Sequence, residues 1–347
     1  MTNIARGIAE QGFTVDFVVG PPNAPYLDTL PASVRLHHLT DRSPRARRHF
    51  LRDYVERRRP SIVLTAKNTD DRVALAVKES CPGDTRYFLR PGTNHSERWN
   101  GRGKNWLKRW WERLRLRGLY QRADGVVTIS RGVAKDIAAI TGLALDRIRV
   151  VRNPNITPEL EQNARAPLDH PWFGAGQPPV ILGAGGLRLQ KDFATLIRAF
   201  AQLHRRRPCR LLILGQGRQR ERLRRLAEEQ GVADSVELHG FDPNPYRFLA
   251  RAGLFVLSSR WEGWANVLAE SLALGVPVVS TDCPSGPREI LQDGRYGPLV
   301  PVGDVDALAR AMEETLRQPL APAVLREAVR DDRLDVSARG SLDAFGL

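Results

Sequence analysis

Glu262 and Glu270 lie eight residues apart in the stretch VLSSRWEGWANVLAESLALGVPVVSTDCPSGPREIL, residues 256–291. From Val267 to Val279 the run is apolar apart from Ser271, Gly275 and one full charge, Glu270. Glutamate is seldom fully buried without a partner. Glu270 therefore either faces a cleft and meets a ligand, or is the solvent-facing acid of an ordinary amphipathic helix. Glu262 comes just before the helix begins, beside the backbone N–H groups of Gly263, Trp264 and Ala265, with Asn266 next. Free amides at a helix start form an anion cradle. A carboxylate for sugar hydroxyls next to amides for phosphate suits a sugar diphosphate, although a helix-start acid favoured by the dipole has the same appearance. The pair at this spacing says more than either member.

The matching cations lie in ILGAGGLRLQKDFATLIRAF, residues 181–200. A strand ends in glycines, among them Gly185 and Gly186, and Arg188 and Lys191 follow just before a helix. Glycine lets backbone approach a ligand closely, and two cations suit a diphosphate leaving group. A tight strand–helix turn with surface cations would read the same way. Gly215 and Gly217 follow a further strand and either line the same cleft or only make a turn.

Short β-branched runs alternate with helical stretches along the whole chain. Strands are expected at 15–19, 34–39, 62–66, 87–90, 126–130 and 148–151, then at 180–184, 210–214, 236–238, 254–257 and 276–280. Such alternation predicts an α/β protein with parallel sheets covered on both faces. Its repetition predicts two doubly wound, Rossmann-like domains facing a central cleft: residues 1–155, a polar linker over 156–179, and residues 180–330, with a last helix over 331–347. Ligands of such sheets sit at the carboxyl ends of the strands. The chain opens on an amphipathic helix pattern (Ile4, Ile8, then Gly12), whereas the first strand of such a sheet usually lies at its centre and leads into a glycine-rich turn. The expectation is that one strand and one turn, about twenty residues, precede Met1.

Among 347 residues the three cysteines, Cys81, Cys209 and Cys283, have neither metal-ligand nor disulfide spacing. A reducing cytosol is the natural setting. The histidines are scattered, and no metal is expected. No run of eighteen apolar residues exists, so no membrane-spanning helix is expected. A net charge of +14 calls for an anionic partner. Much of it lies in residues 42–59, 98–122 and 205–225, partly as plain arginine-rich composition.

With these residues in view, the chain resembles the retaining GT-B-fold glycosyltransferases of family 4, the group that builds bacterial surface polysaccharides and lipid-linked glycans. The most specific element is E-x7-E, Glu262 to Glu270 within EGWANVLAE, and DCPSGPREIL (282–291) is similar to members acting on polyprenyl-linked or lipopolysaccharide acceptors. The resemblance implies that Glu262 contacts donor-sugar hydroxyls, Glu270 the ribose hydroxyls and Lys191 the diphosphate. The loops at 215–217 and 239–241, with Gly240, would border the base. Asn153-Pro154 would close the first domain, and the tail would cross back to it. His95, in RPGTNH after a strand end, would contact the transferred sugar or be a plain loop histidine. The family usually reads G-R-L where this chain has Gly185-Gly186-Leu187, so Arg188 must reach in for the absent arginine.

The segment from Asn105 to Arg122, NWLKRWWERLRLRGLYQR, interleaves tryptophans with cations. It suits an interfacial helix on anionic lipid, or a covering helix with its tryptophans in the core. It would also suit single-stranded nucleic acid, but no nucleic-acid module accompanies it and none is expected as partner. The reading is a cytoplasmic transferase, peripheral on the cytosolic face of the inner membrane. It would move a hexose or N-acetylhexosamine from a nucleoside diphosphate, UDP, to a lipid-linked or polysaccharide acceptor, with no cofactor and no metal. A catalytically silent GT-B protein that binds glycan or partner is the rival reading.

Overall fold

Parallel strands alternating with helices give the chain its architecture. The structure is a computed structural model and describes residues 1–20, 27, 29–41, 43–100 and 106–347; Arg42 and Asn105, the first residues of two basic stretches, lie outside these. The chain divides into two units, residues 1–154 with 332–347, and residues 155–331.

In the first unit helix α1 (Thr2–Glu10) leads to strands β1 (Val15–Val19) and β2 (Val34–His38). Then come α2 (Pro44–Arg58), β3 (Ile62–Thr65), α3 (Asn68–Ser80), β4 (Arg86–Leu89), α4 (His95–Asn100), α5 (Trp106–Gln121), β5 (Gly125–Thr128), α6 (Arg131–Thr141) and β6 (Ile148–Val150). Ser43 and Ser130 cap α2 and α6 by accepting from the amides of Ala46 and Val133, and Pro44 occupies the first turn of α2, where its missing N–H costs nothing. Every strand pairing is parallel. The strands form two sheets, β1-β2 and β3-β4-β5-β6, rather than one. Among the described residues no strand joins β1 to β3.

The second unit contains α7 (Glu159–Arg165), β7 (Val180–Ala184), α8 (Phe193–His204), β8 (Arg210–Leu214), α9 (Arg220–Glu229), β9 (Val236–Gly240), α10 (Tyr246–Leu249) and β10 (Leu254–Leu257). It continues through α11 (Asn266–Ala273), β11 (Val278–Thr281), α12 (Pro287–Ile290), β12 (Leu299–Val300), α13 (Val305–Arg317) and α14 (Pro322–Glu327). One six-stranded sheet runs in the order β12-β11-β10-β7-β8-β9. Residues of β7, β10 and β11 are all buried, as strands covered by helices on both faces must be. Residues 156–179 are no free linker. They carry α7, with Leu160 and Ala164 buried, and Arg251 donates to the carbonyls of Ala164 and Ala166.

The tail, α15 (Leu334–Phe345), belongs to the first unit. It packs on α1, where a Cβ added to Gly7 would stand 2.8 Å from Cβ of Ala338. Ser337 Oγ donates to the carbonyl of Arg152, and Phe345 meets Phe88 with ring centroids 4.9 Å apart.

The sheet order of the second unit reverses at β7. From there the chain builds outward through β8 and β9, then restarts on the other side with β10, paired to β7 through Leu254 with Ile181 and Phe255 with Leu182. The carboxyl ends of β7 and β10 are thus neighbours at a topological switch point, where open α/β sheets bind ligands. The loop after β7 lies directly on the loop after β8. Gly185 N–H donates to Leu214 O at 2.9 Å, Leu187 N–H to Gln216 O at 2.9 Å, and Gly215 N–H to Gly240 O at 2.6 Å. Gly215 has φ +138°, and a Cβ there would lie 1.9 Å from the oxygen of Gly185; one at Gly217 would lie 2.3 Å from that of Leu187. Gly215→Ala is expected to destabilise the protein by about 3 kcal/mol or more. Gly83→Ala, which meets no atom within 4 Å, should stay within about 0.5 kcal/mol of wild type. Urea denaturation checks both, and equal midpoints would refute the close-packing of these loops.

Candidate functional site

Lys191 follows β7 and Glu262 follows β10, so the strand pairing at the switch point brings together side chains 71 positions apart. Lys191 ends a single 3-10 turn, Leu189–Lys191, and Asp192 then takes a left-handed backbone (φ +45°) before α8 begins. Four hydrogen bonds join this turn to the loop after β10. Ser258 Oγ donates to Lys191 O at 2.7 Å, Arg260 N–H to Gln190 O at 2.7 Å, and Gln190 Nε2 to Trp261 O at 2.9 Å. Arg260 Nε donates to buried Asp192 Oδ2 at 3.0 Å.

The result is a contact of 2.6 Å between Lys191 Nζ and Glu262 Oε1. Ser259 Oγ donates to the same oxygen, also at 2.6 Å. Glu262 is only 6% exposed, a depth at which a lone carboxylate would be costly and a paired one is tolerated. The pairing is incomplete on both sides. Oε2 of Glu262 has no partner among the described residues, and the ammonium of Lys191 has three donors of which one is used on Glu262. One acceptor oxygen and two cationic N–H donors thus remain for a ligand that is itself both hydroxylic and anionic.

Helix α11 begins at Asn266, later than its residue pattern suggested, with Ala265 as an N-cap that offers no side-chain bond. Among the described residues the N–H groups of Gly263, Ala265 and Val267 meet no acceptor. Three residues therefore separate Glu262 from a helix end whose dipole and amides favour an anion. The loop is held by its neighbour: Glu262 N–H donates to Pro284 O, and a Cβ on Gly286 (φ +96°) would approach Trp264 Cα to 3.2 Å. DCPSGP thus buttresses the loop that carries Glu262. Cys283 lies in this buttress, and burial next to Glu262 pushes its thiol up to about 12.

Glu270 lies mid-way along α11, half-buried and without a hydrogen-bond or ion partner among the described residues. Desolvation pushes its carboxyl up from 4.5 to about 7. Arg188 is exposed, and its Nε stands 3.3 Å from where a Cβ of Gly186 would be. It therefore occupies the space over the residue that lacks a side chain. Gly185 (φ +145°) gives room to Lys191, whose Cε would be 2.7 Å from an added Cβ. Gly215 and Gly217 face backbone of the neighbouring loop, so their packing accounts for their type, while nothing lies within 4 Å of a Cβ at Gly240.

His95 belongs to the first unit, and the expectation of a loop histidine is corrected. It opens α4, is 4% exposed beside Trp99, and its backbone N–H donates to Asp136 Oδ2 at 2.6 Å. Burial holds its pKa below the ordinary imidazole value. Arg90, the residue immediately after β4, is also buried, donating to Asn153 Oδ1 and Val151 O; desolvation lowers it to about 10.

The histidines are less scattered in space than along the chain. Glu237 Oε2 meets His170 Nε2 at 3.0 Å and Oε1 meets His239 Nδ1 at 2.7 Å, close enough to be considered for a cation. Trp172 N–H donates to Nδ1 of His170, which places that ring's proton on Nε2, towards Glu237. The group is satisfied by its own protons and ties residues 170–173 to β9.

Comparison with known proteins agrees with this geometry. The family model described as Glycosyltransferase Family 4 matches residues 1–154, and that described as Glycosyl transferases group 1 matches residues 170–332, which include Lys191, Glu262 and Glu270. The chain is thus built of a glycosyltransferase family 4 domain and a glycosyl transferases group 1 domain. Similar proteins include the N-acetylgalactosamine-N,N'-diacetylbacillosaminyl-diphospho-undecaprenol 4-alpha-N-acetylgalactosaminyltransferase of Campylobacter jejuni, 33% identical over 198 residues, 57% of this chain and 52% of the relative. The lipopolysaccharide core biosynthesis glycosyltransferase LpsE of Rhizobium meliloti is 36% identical over 196 residues, 56% of this chain and 54% of the relative. The chain thus spans about half the length of these relatives. Among solved structures, HepE of Anabaena with UDP and glucose has a TM-score of 0.75 at 15% identity, covering 99% of this chain and 94% of that one. WaaG, a glycosyltransferase involved in lipopolysaccharide biosynthesis, has 0.70 at 19%, covering 99% and 93%. The chain has the GT-B fold.

Raising the carboxyl of Glu270 has a sign that can be checked. The unfolded chain ionises it above about 4.5 and the folded chain only near 7, so this group lowers stability as pH rises between those values. Glu270→Gln is expected to melt with wild type below pH 4.5 and roughly 2–8 °C higher above pH 7. Calorimetric melting temperatures that coincide at all pH values would rule out the desolvated carboxylate.

Proposed function

We propose that the chain transfers a hexose or N-acetylhexosamine from a nucleoside diphosphate, with UDP as the carrier, to a lipid-linked or polysaccharide acceptor in cell-surface glycan assembly. The observation that carries this is the half-satisfied Lys191–Glu262 pair at the switch point, next to the uncapped start of α11. In this reading the free oxygen of Glu262 accepts donor-sugar hydroxyls. The spare N–H donors of Lys191, the guanidinium of Arg188 and the amides before α11 hold the diphosphate. As the glycosidic bond lengthens, charge grows on the departing phosphate, and fixed donors aimed there stabilise that state more than the ground state. The ionised carboxylate of Glu270 accepts the ribose hydroxyls. His95, buried, is kept as a hydrogen-bonding group for the transferred sugar. Retention at the anomeric carbon follows the family resemblance, and the reading assigns no glycosidase-type pair of carboxylates and no metal. The names of the Campylobacter and Rhizobium relatives, one a diphospho-undecaprenol glycosyltransferase and the other a lipopolysaccharide core glycosyltransferase, support the acceptor class.

Helix α5 gives the reading a place to work. Leu116, Leu119 and Tyr120 near its end are buried, while Trp106 is 73% and Trp111 59% exposed, with Trp110, Leu107 and Leu114 also exposed. The alternative of tryptophans in the core is thereby corrected. Exposed tryptophan and leucine interleaved with Lys108, Arg109, Arg113 and Arg115 suit the headgroup region of an anionic membrane, and no helix among the described residues is long and apolar enough to cross one.

UDP-glucose has no group that titrates near neutrality, so its affinity isolates Glu270. By calorimetry it is expected to bind more tightly as pH rises through about 7, to lose that dependence in Glu270→Gln, and to release UDP slowly without acceptor. Binding without any turnover would instead favour the silent GT-B reading, and no binding would remove the donor site. On vesicles, sedimentation with anionic but not neutral lipid is expected, and its loss in the Trp106→Ala, Trp110→Ala, Trp111→Ala triple variant. Equal binding to both lipids would reject the electrostatic contact.

A further inference from the structure

Beside the turn that carries Lys191, four arginines face one small cavity. Its volume is about 80 Å³, and it is lined by Arg188, Arg198, Arg222 and Arg260 with Asp192 and Gln219. Four cations therefore meet one carboxylate, and that carboxylate is already engaged, since Asp192 Oδ2 accepts from Arg260 Nε and from Thr195 Oγ, both at 3.0 Å. Arg188, Arg198 and Arg222 have no carboxylate partner among the described residues, and Arg222 reaches only Gln219 Oε1, at 3.5 Å. Arg224, on the same helix but outside the cavity, pairs with Glu221 and Glu228 in the ordinary way.

Helix stability does not explain the arrangement. Arg222 stands in the first turn of α9, where the dipole disfavours a cation. The same dipole favours an anion there, and guanidinium groups offer planar forks that fit phosphate oxygens. A space of this size is too small for a nucleotide, since drug-sized ligands fill roughly 300 Å³ or more. We propose that Arg198, Arg222, Arg260 and Arg188 bind a single phosphate group, either orthophosphate or a phosphate monoester. The further consequence rests on the donor reading above: Arg188 also covers Gly186, so an anion in this cavity draws Arg188 away from the diphosphate. Phosphate and UDP then weaken one another, by reciprocal factors.

The test compares wild type with the R198Q/R222Q double variant, whose changed residues lie outside the donor machinery, and with R205Q, at the C-cap of α8 and outside the cavity, as a control. Orthophosphate and glycerol phosphate are titrated by calorimetry at ionic strength held constant with sodium chloride, and melting temperatures establish that each variant is folded. Should the double variant not fold, the single variants replace it, each expected to show part of the loss. The expected result is at least a tenfold weaker phosphate affinity in R198Q/R222Q, none in R205Q, and UDP affinity without phosphate equal in all three. Phosphate should weaken UDP binding in wild type and much less in the double variant. Tighter binding of glycerol phosphate than of orthophosphate assigns a monoester, and the reverse assigns the free ion. Unchanged phosphate affinity in the double variant, or undiminished competition with UDP there, would place the anion on Lys191 and overturn the proposal. Failure of wild type to bind UDP at all would refute the donor reading alone, since phosphate binding is read directly.

Discussion

A buried carboxylate and an ammonium held 2.6 Å apart set the terms for the rest of the second unit. Neither charge would be tolerable at that depth alone, so the loops after β7 and β10 must be kept in register to within a few tenths of an ångström. Four hydrogen bonds between those loops do this, and every one of them is local to the switch point. The sheet order supplies the larger geometry. Because β10 returns to pair with β7, residues remote along the chain become neighbours at the strand ends without any long excursion of backbone.

The surrounding glycines are best understood through the same requirement. Gly185 leaves room for the stem of Lys191, Gly215 and Gly217 let one loop rest on the backbone of another, and Gly286 lets the buttress approach Trp264. Glycine content in this half of the chain therefore reflects close stacking of successive strand-end loops as much as access for a ligand. Charge follows a different logic. The arginine excess is unevenly answered by acids: pairs such as Arg224 with Glu221 and Glu228 neutralise a helix face, whereas the arginines around Asp192 leave positive potential concentrated in one place.

Much of this was legible in the sequence. Strands such as β7, β8 and β10 fall where unbroken apolar runs end in glycine or serine, and Glu262, Glu270 and Lys191 stand out because full charges next to such runs need a reason. Pairing was not legible. Nothing in the residues between 191 and 262 states that β10 returns to β7, and the serines that bind Glu262 Oε1 and Lys191 O carry no spacing signal. The division of the first unit into two sheets, the capture of residues 156–179 by the second unit, and the meeting of His170 with Glu237 and His239 are likewise tertiary facts. His95 was legible as a polar residue after a strand but not as a buried one, since its cover comes from Trp99 and from α6.

Asp192 has a consequence of its own. It takes a left-handed backbone conformation that costs a non-glycine residue about 1–2 kcal/mol, and its carboxylate is held by Arg260 and Thr195 while it does so. The direction in which Lys191 leaves its turn is therefore settled before any ligand arrives. A long flexible cation normally gives up rotamer freedom when it closes on an anion, a loss of about 0.5–1.5 kcal/mol per side chain. Here that loss falls within folding, so the ordering of this lysine does not wait for an anion.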